Sequence, residues 1–187
     1  MRQWIPVSTS PKGRLALRAV EQFGSKPFDE VTVGALASAA EVTTGALYHH
    51  FDSKLGLYQF VRADVEQRLL DRMAGAAATS RSVSDVLLVG FDYAVAQRFA
   101  YLLGQPPPKS GEDPVAQFVD ELLGHVEITA DPTIIAALWR AALISAAAGT
   151  DRARDTLVVA LSGFEHRGGP GGRQGLGGGE GVNDDSP

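Results

Sequence analysis

The chain has 187 residues, enough for one large helical domain or a small domain joined to a medium one, and its 44% hydrophobic and 21% charged content argues against bulk disorder. Its net charge of −5 is unevenly divided: residues 1–62 carry seven Lys/Arg against five Asp/Glu, whereas residues 63–187 carry ten against seventeen, which confines any phosphate contact to the N-terminal end. Zero cysteines exclude disulfides, thiol nucleophiles and cysteine-ligated zinc. With no run of ~18 apolar residues and no leader pattern in Met1–Ser10, a cytoplasmic protein without a membrane partner is expected.

Ser10-Pro11 is a helix start, with Ser10 as N-cap and Pro11 at the first helical position. Leu15, Ala19, Val20 and Phe23 follow on one face, and Gly24 reads as the stop. After a turn at Lys26–Asp29, Thr32 caps a second helix, Val33–Ala40, with Leu36, Ala37 and Ala40 inward. Thr43 or Thr44 caps a third helix ending at His50, and Ser53 caps a longer fourth reaching about Met73. Ala74–Ser82 reads as a connection, and Val83–Leu103 as one amphipathic helix with Leu87, Phe91, Val95 and Leu102 on a stripe. The breaker-rich stretch Gly104–Pro114 is a loop. Helices are then expected at Val115–Thr129, Thr133–Ala148 and Asp151–Phe164, the second of them apolar nearly all round apart from Arg140. From Gly168 to Pro187 nine of twenty residues are glycine, too little apolar surface to offset ordering entropy, so a disordered tail is expected. No strand-like alternation occurs, and the fold class is all-α. The expected division is residues 1–52, 53–166 and a tail at 167–187.

The informative segment runs from Val33 to Lys54. Two short helices joined by a tight turn form a helix-turn-helix, whose second helix can enter the DNA major groove while the first crosses the backbone. Ala37, Ala40, Val42, Leu47 and Phe51 supply the packing, which leaves Thr43, Thr44, Gly45, Ala46, Tyr48, His49 and His50 for the outer face. Gly45 and Ala46 permit close approach, and Thr hydroxyls can bond phosphates or base edges. Adjacent helical residues point about 100° apart, so His49-His50 is not read as a metal pair. For His125, with Glu121 one turn earlier, a surface ion pair is the favoured reading.

At Phe23-Gly24, Thr32, Leu36-Ala37 and the run Gly45-Ala46-Leu47-Tyr48-His49-His50-Phe51-Asp52-Ser53-Lys54, the chain resembles the tetracycline-repressor family of bacterial regulators, over roughly residues 11 to 60. The resemblance implies that Thr32, Thr43, Tyr48, His50 and Lys54 lie against phosphates and that Thr44, Gly45, Ala46 and His49 are placed for base contact. One departure is Glu41, where the family usually has glycine, so strain or an altered turn is expected there.

The resemblance also implies that the later helices bind a ligand and a second copy. Phe60, Leu69, Met73, Leu87, Phe91, Val95, Phe99, Phe118, Leu122, Leu138 and Trp139 either line a pocket for an apolar or aromatic effector or simply fill a core. Arg98 either meets an anionic ligand or snorkels to solvent. Thr133–Ala148 and Asp151–Phe164 are expected to form a homodimer interface, because Ala141, Ala142, Ala146 and Ala147 allow close approach. A two-fold dimer would present two reading helices ~34–36 Å apart to a palindromic double-stranded operator. No Gly-x-Ser-x-Gly elbow, phosphate loop or His-Glu-x-x-His is present, so no catalytic residue, metal or cofactor is assigned and no enzyme is expected. A helical adaptor that binds only protein is the remaining rival.

Overall fold

The computed structural model describes residues 9–80, 82–107, 113–126 and 129–165. Among these, the elements are α1 (Pro11–Ser25), a 3-10 turn (Phe28–Glu30), α2 (Val33–Ala39), α3 (Thr44–Phe51), α4 (Lys54–Ala77), α5 (Val83–Ala96), α6 (Ala100–Gly104), α7 (Pro114–Val126), α8 (Pro132–Ala147) and α9 (Ala153–Glu165), with no strand. The glycine-rich segment and the middle of the breaker-rich loop lie outside the described residues.

Side-chain caps start most of these helices. Ser10, Thr32, Thr43, Ser53, Ser82 and Asp131 each accept a backbone N–H of the first turn they precede, contacts of about 1 kcal/mol apiece. Of the two threonines that could open α3, Thr43 does so, with Ala46 N–H at 3.2 Å from its hydroxyl. One apolar core then runs from Leu15 on α1 to Leu161 on α9 without a gap. Its largest member, Trp139 on α8, is fully buried and donates Nε1–H to the Leu87 carbonyl of α5 at 2.9 Å.

Two sequence expectations are corrected, and one contact joins them. The helix expected over Val83–Leu103 breaks after Ala96. Phe99 N–H returns to Ala94 O at 2.8 Å and Arg98 N–H to Val95 O at 3.0 Å, while Arg98 takes φ 59. This is the left-handed termination that glycine usually supplies, here occupied by an arginine that gives no sequence signal. Gly24, read as the stop of α1, lies inside that helix and is buried. The Arg98 backbone carbonyl sits where a Cβ on Gly24 would project, so glycine serves a close approach of α1 to the α5–α6 corner.

The remaining differences are at boundaries. α4 extends to Ala77, α7 starts at Pro114 and has ended by Thr129, and the last helix starts at Ala153. At 24 residues, α4 is roughly 36 Å long and is the rod joining the first three helices to the rest. Its Leu57 and Val61 are in the N-terminal core, and its Leu69 and Met73 lie so close to Gly90 of α5 that a Cβ there would come within 2.7 Å of Met73 Sδ.

Candidate nucleic-acid interface and body cavity

The α2–turn–α3 unit is held by the same left-handed termination as the α5 break. Val42 N–H bonds Ala37 O at 3.0 Å, Glu41 N–H bonds Ser38 O at 3.1 Å, and Glu41 has φ 55. The expected strain at Glu41 is therefore present: a non-glycine residue in this region costs on the order of 1 kcal/mol. Arg14 on α1 offsets it, donating Nε–H to Ala40 O at 2.9 Å and Nη2–H to Glu41 O at 3.4 Å. The Glu41 carboxylate lies near Arg18, whose guanidinium is held above its ordinary range chiefly by its hydrogen bond and charge contact with Glu21, with Glu41 adding to it.

This brace sets the orientation of α3. Leu47 and Phe51, one turn apart, are buried, and the other faces of the helix look outward. Thr43, Thr44, Gly45, Tyr48 and His49 are exposed, Tyr48 by 52%, while Ala46 and His50 are half-buried. His49 and His50 stack edge to face with centroids 5.0 Å apart. Thr32, exposed at the start of α2, shares with Thr43 a hydroxyl that accepts a backbone N–H and keeps its own O–H to donate. The result is a short helix with a small, polar, protruding face and a fixed tilt, dimensions that suit a major groove.

Lys54 also has partners within the protein. Its ammonium donates to Phe28 O at 3.0 Å and Val31 O at 2.9 Å and lies 4.0 Å over the Phe28 ring. It thus ties the start of α4 to the turn before α2, over a cluster in which Phe23, Phe28 and Tyr58 meet at 5.0–5.8 Å. Lys12 lies 5.7 Å from the Phe51 ring centre and 5.1 Å from that of Phe60. Phe60 accordingly belongs to the N-terminal cluster and is remote from the other residues assigned to a pocket.

Those pocket residues do not converge. Leu69, Met73, Leu87, Phe91, Phe99 and Trp139 are core, while Val95 is 40% exposed and Arg98 is exposed at the strained corner. Only Phe118 and Leu122 of the expected set line the larger of the described cavities, about 540 Å³ between the end of α4, the start of α5 and α7. Its other walls are Ala74, Ala77, Ala78, Val83, Val86 and Val126, with Ser80, Ser82, Glu121 and His125 as polar members. The His125 ring does not pair with the Glu121 carboxylate; Nδ1 lies 2.5 Å from the Glu121 backbone carbonyl.

Sequence reading also missed the buried Arg62 and the partners of Arg140. Arg62 on α4, 2% exposed, donates to Leu102 O at 3.1 Å, Gln105 O at 2.8 Å, Pro106 O at 3.3 Å and Tyr58 Oη at 3.0 Å, and pairs with Glu66 at 3.0 Å. Arg140 on α8 donates to Leu103 O at 2.7 Å and pairs with Asp113 at 2.5 Å. Together they cap the carbonyls at the end of α6 from opposite sides. The available signal was Tyr58, Arg62 and Glu66 recurring every four residues beside Val61, Val65 and Leu69.

Residues 17–61 match the family described as bacterial regulatory proteins, tetR family. Among solved structures, a tetR-family transcription regulator from Shewanella sp. PV-4 is 18% identical, covers 84% of this chain and 97% of its own, and superposes with a TM-score of 0.58. A tetR-family transcriptional regulator from Pectobacterium atrosepticum is 20% identical over 83% of this chain and 91% of its own, with a TM-score of 0.53. NalD, the secondary repressor of the MexAB-OprM multidrug efflux pump in Pseudomonas aeruginosa, is 21% identical over 86% and 97%, with a TM-score of 0.50. No curated protein matches the sequence significantly. Among the described residues, no helix is long and apolar enough to cross a membrane.

Proposed function

We propose that this chain, whose residues 17–61 match the tetR family of bacterial regulatory proteins, is a DNA-binding transcriptional regulator and a homodimeric repressor released from its operator by a small apolar or aromatic effector. The observation that carries the reading is the face of α3: Thr44, Gly45, Tyr48 and His49 exposed side by side on a helix whose Leu47 and Phe51 are buried. Thr44, Gly45, Ala46 and His49 are assigned to bases, and Thr32, Thr43, Tyr48 and His50 to phosphates. Lys54 acts on DNA indirectly, by holding α2 and α4 in register.

Dimerisation is assigned to α8 and α9. Ile134 on α8 is 60% exposed and Val159 on α9 is 75% exposed, and the exposed Ala141 leaves room for a facing backbone. A two-fold axis there would set two copies of α3 about one DNA turn, ~34–36 Å, apart. An effector that prefers a conformation with another spacing weakens DNA binding by its differential affinity for the two states. The repressor named among the structural neighbours supports the sign of the response.

The test is selection of bound duplexes from a randomised library by the full chain at about physiological salt. The expected product is an enriched inverted repeat whose half-sites lie ~10 bp apart, centre to centre. Loss of that enrichment in a Tyr48→Ala, His49→Ala variant of unchanged thermal stability confirms α3 as the reader. No enrichment with the intact chain overturns the proposal.

A further inference from the structure

The cavity between α4, α5 and α7 has a chemical polarity that its size alone does not convey. Its volume, about 540 Å³, lies within the range of small-molecule sites. Much of the lining is apolar: Ala74 and Ala77 of α4, Ala78 just after it, and Phe118 and Leu122 of α7, and the small alanine side chains leave the space. Among the described residues no lysine or arginine lines it, and Glu121, which forms no ion pair with any of them, is the single charged lining residue.

His125, one turn after Glu121, reinforces that sign. Its Nδ1 donates to the Glu121 backbone carbonyl, so in the neutral ring Nε2 remains an acceptor. The rim therefore offers a carboxylate and an imidazole lone pair, and both call for a donor. The hydroxyl of Ser80, another lining residue, is committed to the Asp85 carboxylate at 3.1 Å, which places a second negative charge beside the cavity. The excess of acidic residues from 63 to 187 adds a background field of the same sign.

We propose that this cavity is the effector site and that it takes an amphiphile with an apolar body and a cationic, N–H-donating end, with Phe118 and Leu122 against the body and Glu121 against the ammonium. The assignment rests on the reading of the chain as an effector-released repressor. It narrows that reading from apolar or aromatic compounds in general to those carrying a positive charge.

The probes are 4-phenylbutylamine, 4-phenylbutanol and 4-phenylbutyrate, one skeleton with three charge states, titrated calorimetrically into the full-length chain near neutral pH. The amine should bind at least about tenfold more tightly than the carboxylate, with the alcohol between them. Glu121→Gln should remove the preference for the amine and leave the alcohol unchanged, and Ala77→Trp, which fills the cavity, should abolish binding of all three. Equal or reversed affinities, no binding of any probe, or amine binding indifferent to Ala77→Trp overturns the site. The same amine is then added to the complex with a selected duplex. Binding that leaves DNA affinity unchanged keeps the site and sinks the effector reading. Release by a compound indifferent to both substitutions keeps the effector reading and sinks the site.

Discussion

In the N-terminal head the side-chain bonds between elements reach at most 27 residues along the chain, whereas in the body they reach as far as 62. Ser10, Thr32, Thr43 and Ser53 each close a helix start by reaching three residues on. In the body, the end of α6 is closed by Arg62, about forty residues earlier, and by Arg140, thirty-seven residues later. Local closure yields a head whose outer face is set by its own short sequence. Remote closure makes the geometry of α6 depend on α4 and α8 at once, so the body has to respond as a unit.

The largest effect is expected where remote closure is removed. Arg62→Ala leaves Glu66 buried without a partner, strips the Leu102 and Pro106 carbonyls of their side-chain donor and leaves Gln105 O only its longer bond from Arg140, so a loss of about 3–5 kcal/mol is expected in urea unfolding. Arg62→Met with Glu66→Leu should recover most of that loss. If the single variant is as stable as the wild type, the contrast between head and body fails. Next is Gly24→Ala, which drives a methyl into the Arg98 carbonyl and should cost about 1–3 kcal/mol. Gly45→Ala meets only open space apart from Thr43 Oγ1 at 3.7 Å, so it should barely move the melting temperature while weakening duplex binding.

Glu41→Gly sharpens the comparison in the other direction, because it relieves a strained position. Unfolding free energy should rise by up to about 1 kcal/mol, with the turn geometry retained. A fall would mean that the Glu41 side chain contributes more than its backbone conformation costs. The smallest effect is at Asp131, the exposed cap of α8. Its carboxyl is held below the ordinary range by the hydrogen bond from the Thr133 hydroxyl, then by that from the Thr133 amide. A carboxyl with a lower folded than unfolded value stabilises when ionised. The contribution is complete above the ordinary carboxylate range and fades as pH falls through the lowered value. Asp131→Ala should therefore lower the melting temperature slightly at neutral pH and have no effect in strong acid, while Asp131→Asn should lose less at neutral pH.

Legibility in the sequence follows the same division. The caps at Ser10, Thr32 and Ser53, the buried Leu47 and Phe51 and the outward Tyr48 could all be read from short spacings, because each depends on neighbours within a turn or two. The break at Arg98 could not, since the left-handed position carries no glycine and is braced by a helix more than seventy residues earlier. The cavity lining was illegible for a related reason. Of the two readings open for the large apolar residues, Leu69, Met73 and Trp139 take the second and fill a core, and the opening lies beside alanines, which carry no such signal. Lys54 matched a recurring motif position, yet its partners, Phe28 O and Val31 O, are visible only once the turn before α2 is folded.

The place of Arg62 along α4 also sets a gearing ratio. With the rod pinned to α6 at that residue, roughly 12 Å of helix runs toward the reading head and roughly 23 Å toward Ala77 beside the cavity. A stiff rod turned about that point delivers at the DNA end about half the displacement imposed at the far end, in the opposite direction. In the dimer proposed above, spreading α4 from α7 by the width of a methyl group would reach α3 as a fine adjustment, and the adjustments of the two copies would add.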